Sequence, residues 1–276
     1  MTTLDVQSTD AVSDACQRPI IRYRKGESDF REMDFIIEET PVALAFNGVA
    51  YTVMMCTPHD LEQFAIGFSL SEGIIDHHRD IHDMVITHHD NGINLDITVA
   101  NRCAERLKQK RRSLAGLTGC GICGEEKLET VCRMLMPLPM TVEFDLSHLE
   151  QALQQLLEHQ ALNQLTGAAH AAAYIDANGQ LLATFEDVGR HIALDKLIGH
   201  IHQQRLSGGA VLVTSRASFE MVQKAASAGV EVLLAVSSAT KMAVDLADRL
   251  NMTLLGHCRR GRADAYAHPE RVFGMI

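Results

Sequence analysis

Residues 210–236, AVLVTSRASFEMVQKAASAGVEVLLAV, decide how this chain folds. Ala210 to Thr214 is a short, almost wholly apolar run bounded by turn residues, the pattern of a strand buried on both faces. Ser215-Arg216-Ala217-Ser218 breaks it with helix-start chemistry, and Phe219 to Ser227 then predicts a helix. Val230 to Val236 returns to an apolar run, interrupted only by Glu231, and predicts a strand. Strand, helix, strand in such short order implies a parallel pair with a helix packed across it.

The rhythm continues on both sides. Downstream, Ala239 to Leu250 predicts a helix and Met252 to Gly256 a last strand. Upstream, His170 to Asp176 and Leu181 to Glu186 predict strands joined across Asn178-Gly179, followed by a helix over roughly Val188 to Gln204. The opening hairpin makes the sheet mixed, and helices on both faces make the unit a three-layer α/β/α domain.

The first half reads differently. Val42 to Phe46 and Val49 to Met55 flank Asn47-Gly48, a strong two-residue hairpin signal, and a second hairpin is expected around Asn91-Gly92. Thr57 is expected to cap a helix that opens on Pro58 and runs to Gly73. Arg102 to Ser113 predicts a basic helix, and Glu125 to Met134 another. Pro137-Leu138-Pro139 marks a boundary, and a short strand is expected over Thr141 to Leu146. Ser147 and Glu150 have the spacing of a capping box on the next helix. The organisation predicted is α/β: a polar, disordered tail over 1–17, a smaller α+β region over 18–136, and the α/β domain over 137–276.

Composition narrows the function. With 276 residues, 46% hydrophobic and 22% charged, the chain has the make-up of a globular protein with a sizeable core. A net charge of −10 argues against binding nucleic acid or anionic membranes through a global field. No run approaches the roughly 18 apolar residues of a membrane-spanning helix. Seven cysteines, an odd count, fit reduced thiols and a cytoplasmic location better than a disulfide framework.

In open α/β sheets the ligand crevice lies outside the carboxyl ends of the strands. Here those ends read Glu186-Asp187-Val188-Gly189-Arg190-His191, Ser215-Arg216-Ala217-Ser218, Ser237-Ser238, and His257-Cys258-Arg259-Arg260-Gly261-Arg262. Guanidinium groups beside free helix N–H groups suit a phosphate-bearing ligand. Taken singly, each cluster has a plainer reading: Ser218, Ser238, Glu186 and Asp187 as helix caps, and Arg259, Arg260 and Arg262 as a solvated face.

Thr118-Gly119-Cys120-Gly121-Ile122-Cys123-Gly124 carries the sulfur chemistry. The glycines leave both thiols accessible, and Lys108, Lys110, Arg111 and Arg112 just upstream favour the thiolate. A zinc site would need two further ligands, and no downstream histidine pair has zinc-finger spacing. A thioredoxin-like pair would follow a strand and open a helix. Nucleobase deaminases place H-x-E before the cysteine pair, whereas His148-Leu149-Glu150 and His268-Pro269-Glu270 both come after it. Buried packing suits Cys56 and Cys103 but not a glycine loop. Zinc through converging distant residues and redox exchange stay open, and beside them stands a carrier whose thiolate holds sulfane sulfur as a persulfide.

The chain resembles the formate dehydrogenase accessory sulfurtransferases, the FdhD family. Matching segments are Glu39-Thr40-Pro41-Val42-Ala43-Leu44, Gly67-Phe68-Ser69-Leu70-Ser71-Glu72-Gly73, the Thr118 to Gly124 loop, Glu186 to His191, Ala193-Leu194-Asp195-Lys196, and Ser215 to Ser218. Ala169 precedes His170 where the family often has threonine. The resemblance implies a sulfurtransferase that accepts sulfur from a cysteine desulfurase. It would pass that sulfur to the molybdenum cofactor, in its bis(molybdopterin guanine dinucleotide) form, before insertion into apo formate dehydrogenase. It implies Cys120 as persulfide carrier with Cys123 as companion, and His257, Cys258, Arg259, Arg260, Gly261 and Arg262, with Ser215 and Arg216, as cofactor-binding residues. It also implies a homodimer and a second domain similar to the cytidine deaminase sandwich without its zinc set. The rival readings are a non-catalytic chaperone that binds the cofactor and docks on the apoenzyme, and a zinc-stabilised regulatory module.

Overall fold

Asn47 and Gly48 both lie at positive φ, 49° and 74°. That is what a two-residue turn matched to the strand twist requires, and it joins β3 (Thr40–Phe46) to β4 (Val49–Cys56). The computed structural model describes residues 14–26, 29–115 and 135–274. β3 pairs in parallel with β6 (Gly92–Val99), which forms the second expected hairpin with β5 (Ile81–His89). The four-stranded sheet runs β4-β3-β6-β5. Val42, Leu44, Phe46, Ile93, Leu95 and Ile97 alternate onto its buried face, where helix α1 (Leu61–Ser71) packs. Helix α2 (Asn101–Ala115) leaves the end of β6.

The second sheet contains β8 (His170–Ile175), β9 (Leu181–Asp187), β10 (Ala210–Val213), β11 (Val232–Ala235), β12 (Thr253–Arg259) and β13 (Arg262–Ala267). Its order is β13-β12-β11-β10-β8-β9. β10, β11 and β12 are parallel, while β8 and β13 run against their neighbours. Alternate residues of one strand enter different cores. Val211 and Val213 join the cluster under α5 (Arg190–Gln204), α6 (Phe219–Ser227) and α7 (Lys241–Arg249). Ala210 and Leu212 join the cluster under α3 (Leu149–Glu158). The unbroken apolar runs of the sequence are explained by this burial on both faces, and the expected mixed, three-layer arrangement is present.

The two sheets are joined through α1 and α5. A Cβ on Gly67 would lie 1.7 Å from the Asp195 carbonyl oxygen, and one on Gly199 would lie 2.0 Å from that of Gln63. The helices therefore cross with backbone against backbone, which only glycine permits. Around the crossing, Phe64, Leu70, Leu194, Leu197 and Ile198 belong to one hydrophobic cluster that also holds Leu44 and Val213. Beneath it the Asp195 carboxylate accepts from Ser71 Oγ (2.7 Å) and Lys224 Nζ (2.9 Å).

Several expectations are corrected. The first helix opens at Leu61 behind Asp60, not at Pro58, and Thr57 caps nothing there. Ser147 is not a cap: Asp145 accepts from its backbone N–H, and the helix starts at Leu149. The strand expected over Thr141 to Leu146 shrinks to β7 (Phe144–Asp145), paired with β14 (Val272–Phe273). Backbone N–H groups of Thr141 and Val142 bind the buried Glu231 carboxylate instead of a ladder. The last strand does not stop at Gly256 but continues to Arg259 and turns into β13. Chain order begins before residue 17, because β1 (Ala15–Arg22) and β2 (Phe30–Ile37) form an antiparallel ribbon. Asp14 is buried against His59. A short helix, α4 (Ala161–Thr166), precedes β8. The helix expected over Glu125 to Met134 lies outside the described residues.

Candidate functional site

Parallel strands share a direction, so β9, β10, β11 and β12 all end on one edge of the sheet. Hydrogen bonds lace that edge together. Ala217 N–H donates to the Ser238 carbonyl (3.1 Å), Thr240 N–H to the Ala217 carbonyl (3.0 Å), and His257 N–H to the Ser237 carbonyl (2.9 Å). The Ser215, Ser237 and His257 segments thus lie side by side, as the strand ends predicted. Helices α5, α6 and α7 begin along the same edge, with their N-terminal dipole ends turned toward it.

A cavity of about 510 Å³ opens here between α3 and the strand ends. Leu153, Leu156 and Val236 give it an apolar floor, and Arg259 and Arg260 stand at its rim, both exposed. Arg260 and Gly261 form the β12–β13 turn, with Gly261 at φ 70°. The turn is anchored to α3, since Gly261 N–H donates to Glu150 Oε1 at 2.9 Å. Arg260 approaches the same carboxylate only to 3.9 Å. A smaller cavity of about 310 Å³ lies on the other side of the turn and shares Glu150 and Arg259. An apolar slot with two lightly engaged guanidiniums at its mouth suits a ligand with a flat ring system and phosphates.

The remaining residues of the arginine segment have other partners. Arg262 grips Asp264 with two bonds, 3.0 and 2.7 Å. Those bonds, with His257 Nδ1 at 2.9 Å, hold the Asp264 carboxyl down at about 2. Arg262 is thus matched within its own hairpin. Cys258 has no exposed surface, and burial pushes its thiol up to about 12. It lines the cavity as a buried, neutral thiol. Ser215 is buried with its hydroxyl donating to the Arg216 carbonyl (3.1 Å), whereas Arg216 is exposed.

Other edge residues resolve between the plain and functional readings. Glu186 caps α4, not α5: its two oxygens accept from the Leu162 and Asn163 N–H groups at 2.8 Å. Asp187 Oδ1 accepts from Gly189 N–H in a turn ahead of α5, whose N-cap is Gly189 with no side-chain capping bond, so Asp187 is not the helix cap either. Its Oδ2 accepts from Thr57 N–H (3.0 Å) and Oγ1 (2.8 Å) and pairs with Lys196 Nζ (2.8 Å). Thr57 is a residue the sequence reading misassigned, since no local pattern announces a partner 130 positions away. Ser218 sits at the N-cap of α6, yet its hydroxyl makes no capping bond and is buried without a hydrogen-bond partner among the described residues. Burial lowers the pKa of both His170 and His191, reinforced by Arg190, and His191 Nε2 lies 2.9 Å from Glu220.

Cys120 and Cys123 lie outside the described residues, as do the side chains of Lys110, Arg111 and Arg112. What is described is the start of the helix leading to them. Arg102 pairs with Asp80 at 2.5 Å and Arg106 with Asp76 at 3.0 Å, fixing the first turns of α2. Among the described cysteines, Cys56 and Cys103 are fully buried, and burial pushes the Cys56 thiol far up. Neither has the exposure a sulfur-exchanging thiol needs.

Comparison with known proteins gives two findings. Residues 37–273 match the FdhD/NarQ family. The fold is similar to the crystal structure of a candidate formate dehydrogenase accessory protein from Desulfotalea psychrophila, with a TM-score of 0.75 and 26% identity. The similarity covers 94% of this chain and 99% of that one.

Proposed function

The chain belongs to the FdhD/NarQ family, and on that premise we propose that it matures formate dehydrogenase as a sulfur carrier. A cysteine desulfurase supplies a persulfide. Cys120 thiolate attacks its terminal sulfur, the S–S bond breaks, and the desulfurase thiolate leaves. Cys123 then attacks the inner sulfur of the Cys120 persulfide. A Cys120–Cys123 disulfide forms and sulfide departs to the acceptor, with a thiol reductant restoring the pair. The acceptor substrate is the molybdenum cofactor in its bis-guanine-dinucleotide form, held at the carboxyl edge of the second sheet until apo formate dehydrogenase takes it. A cytoplasmic homodimer and kinship of the second sheet domain with the cytidine deaminase sandwich belong to the same reading.

The observation that carries this proposal is the cavity beneath the β12–β13 turn. It combines an apolar floor with Arg259 and Arg260 at the rim, the chemistry that a purine ring and its phosphates require. Arg216, exposed on the same edge, supplies a third guanidinium.

The test is mass spectrometry of the non-reduced peptide carrying Cys120 and Cys123 after incubation with a cysteine desulfurase and cysteine. One added sulfur, lost on reduction and absent in Cys120→Ala, is expected. No added sulfur, with an active desulfurase in the same tube, would leave the protein as a cofactor-binding chaperone.

A further inference from the structure

At the end of α5 remote from that edge, a second cavity of about 450 Å³ gathers five nitrogen-bearing side chains. His77, His78 and Arg79 come from the turn after α1, and His202 and Arg205 from the last turn and cap of α5. The carboxylate in the lining, Asp80, is already engaged by Arg102 (2.5 Å) and by the N–H groups of Asp76 (3.1 Å) and His77 (3.2 Å). Nearby Asp76 is held by Arg106. Neither Arg79 nor Arg205 has an ion-pair partner among the described residues. His202 Nε2 is buried there without a hydrogen-bond partner among the described residues, although the ring also meets the Ala228 backbone.

Cations at helix C-termini have a plain use, because the carbonyl end of a helix attracts them. That accounts for His202 and Arg205, since α5 and α6 both end at this cavity. It does not account for the opposite wall. Arg79 sets a second guanidinium toward Arg205, and His77 and His78 add ring nitrogens that become cationic only on protonation, so the like charges in this partly buried space repel. The imidazoles register the field. The pKa of His78 is lowered by burial and then by Arg79, Arg205 and His77, and that of His202 by burial and then by His78 and His77, against a backbone hydrogen bond to Ala228 that raises it. Such an arrangement is relieved by an anion.

We propose that this cavity binds a multiply charged phosphate-class anion, either a free oligophosphate or the phosphate tail of a nucleotide. Arg79 and Arg205 would bracket it from opposite walls, with His202 Nε2 as the buried donor. Binding draws protons onto His78 and His202, whose free values lie below the ordinary 6.5, so affinity rises as pH falls through 6.5.

The experiment is isothermal titration of the full chain with inorganic pyrophosphate, in two buffers of different ionisation enthalpy, on either side of pH 6.5. Saturable binding with proton uptake is expected, weakened about tenfold or more in Arg79→Gln/Arg205→Gln. It should be largely kept in Arg205→Lys, which also controls for folding. In an Arg259→Ala/Arg260→Ala background, which silences the strand-edge cavity, GDP bound more tightly than pyrophosphate and lost on adding Arg79→Gln/Arg205→Gln would assign the site to a nucleotide. Pyrophosphate bound in preference would assign it to the free anion. The proposal is overturned by the absence of saturable binding, by affinity indifferent to the double variant, or by zinc binding in place of pyrophosphate.

Discussion

Lys196 Nζ lies 2.8 Å from Asp187 Oδ2, and neither side chain has any exposed surface. Thr57 completes the arrangement, accepting from Lys196 at 2.7 Å and donating to Asp187 at 2.8 Å. The contact ties the loop before α1 to the strand end and helix that frame the candidate site. Removing one partner would strand a charge in the interior. Lys196→Met and Asp187→Leu should each cost about 3–5 kcal/mol of stability. The double variant should cost clearly less than the two singles added together. Urea unfolding of the four proteins checks this, and additive losses would show that the ions do not depend on each other.

The crossing of α1 on α5 leaves no room for a methyl group. Gly67→Ala should exceed the ~1–3 kcal/mol typical of overpacking, because the obstacle is a backbone oxygen rather than a side chain that can rotate. Gly208→Ala, at positive φ but facing open space, should cost no more than about 1–2 kcal/mol. Thermal melts of both variants give the comparison.

Arg259→Ala/Arg260→Ala removes the guanidiniums at the cavity rim while leaving the Gly261 to Glu150 bond in place. Binding of GDP, used as a surrogate for the guanine dinucleotide, should weaken about tenfold or more with the melting temperature little changed. Arg262→Ala should instead act through Asp264, loosening the hairpin more than it weakens the ligand. Calorimetric titration of the two variants separates these outcomes.

Asp264 supplies a pH signature. Its folded carboxyl is held at about 2, below the ordinary 3.8, chiefly by the Arg262 hydrogen bonds. A depressed carboxylate adds stability that is fully present above the unfolded value and is lost as pH falls through the folded one. The stability advantage of the wild type over Asp264→Asn should therefore be constant above about pH 5. It should shrink between 3.8 and about 2. Acid unfolding curves of the two proteins, read by circular dichroism, test the window.

Where side chains announce their own backbone geometry, the sequence was legible. The two-face burial of β10 and β11 shows as unbroken apolar runs, α6 begins and ends where its pattern does, and Asn47-Gly48 marks its turn. Legibility fails where the deciding partner is distant. The first residues of β1, Ala15 to Gln17, look like tail because they are small or polar, yet they are ordered by pairing with β2. β13 hides behind arginines because it is an edge strand with one half-open face. For the site, the strand-end clusters do share an edge. Which guanidiniums are available there was not readable, since Asp264 takes Arg262 out of play and the two share a face only because their stretch, not expected as a strand, is β13.

The glycine seam has a consequence for assembly. At Gly67 and Gly199 backbone meets backbone, so sliding α1 along α5 would drive main-chain atoms into each other, and the junction holds the two sheets in one register. Two visitors docking on opposite halves would find their seats already indexed to each other, as ports bored in a single block are. Mutations at the seam would then misalign both guests at once without touching either binding surface.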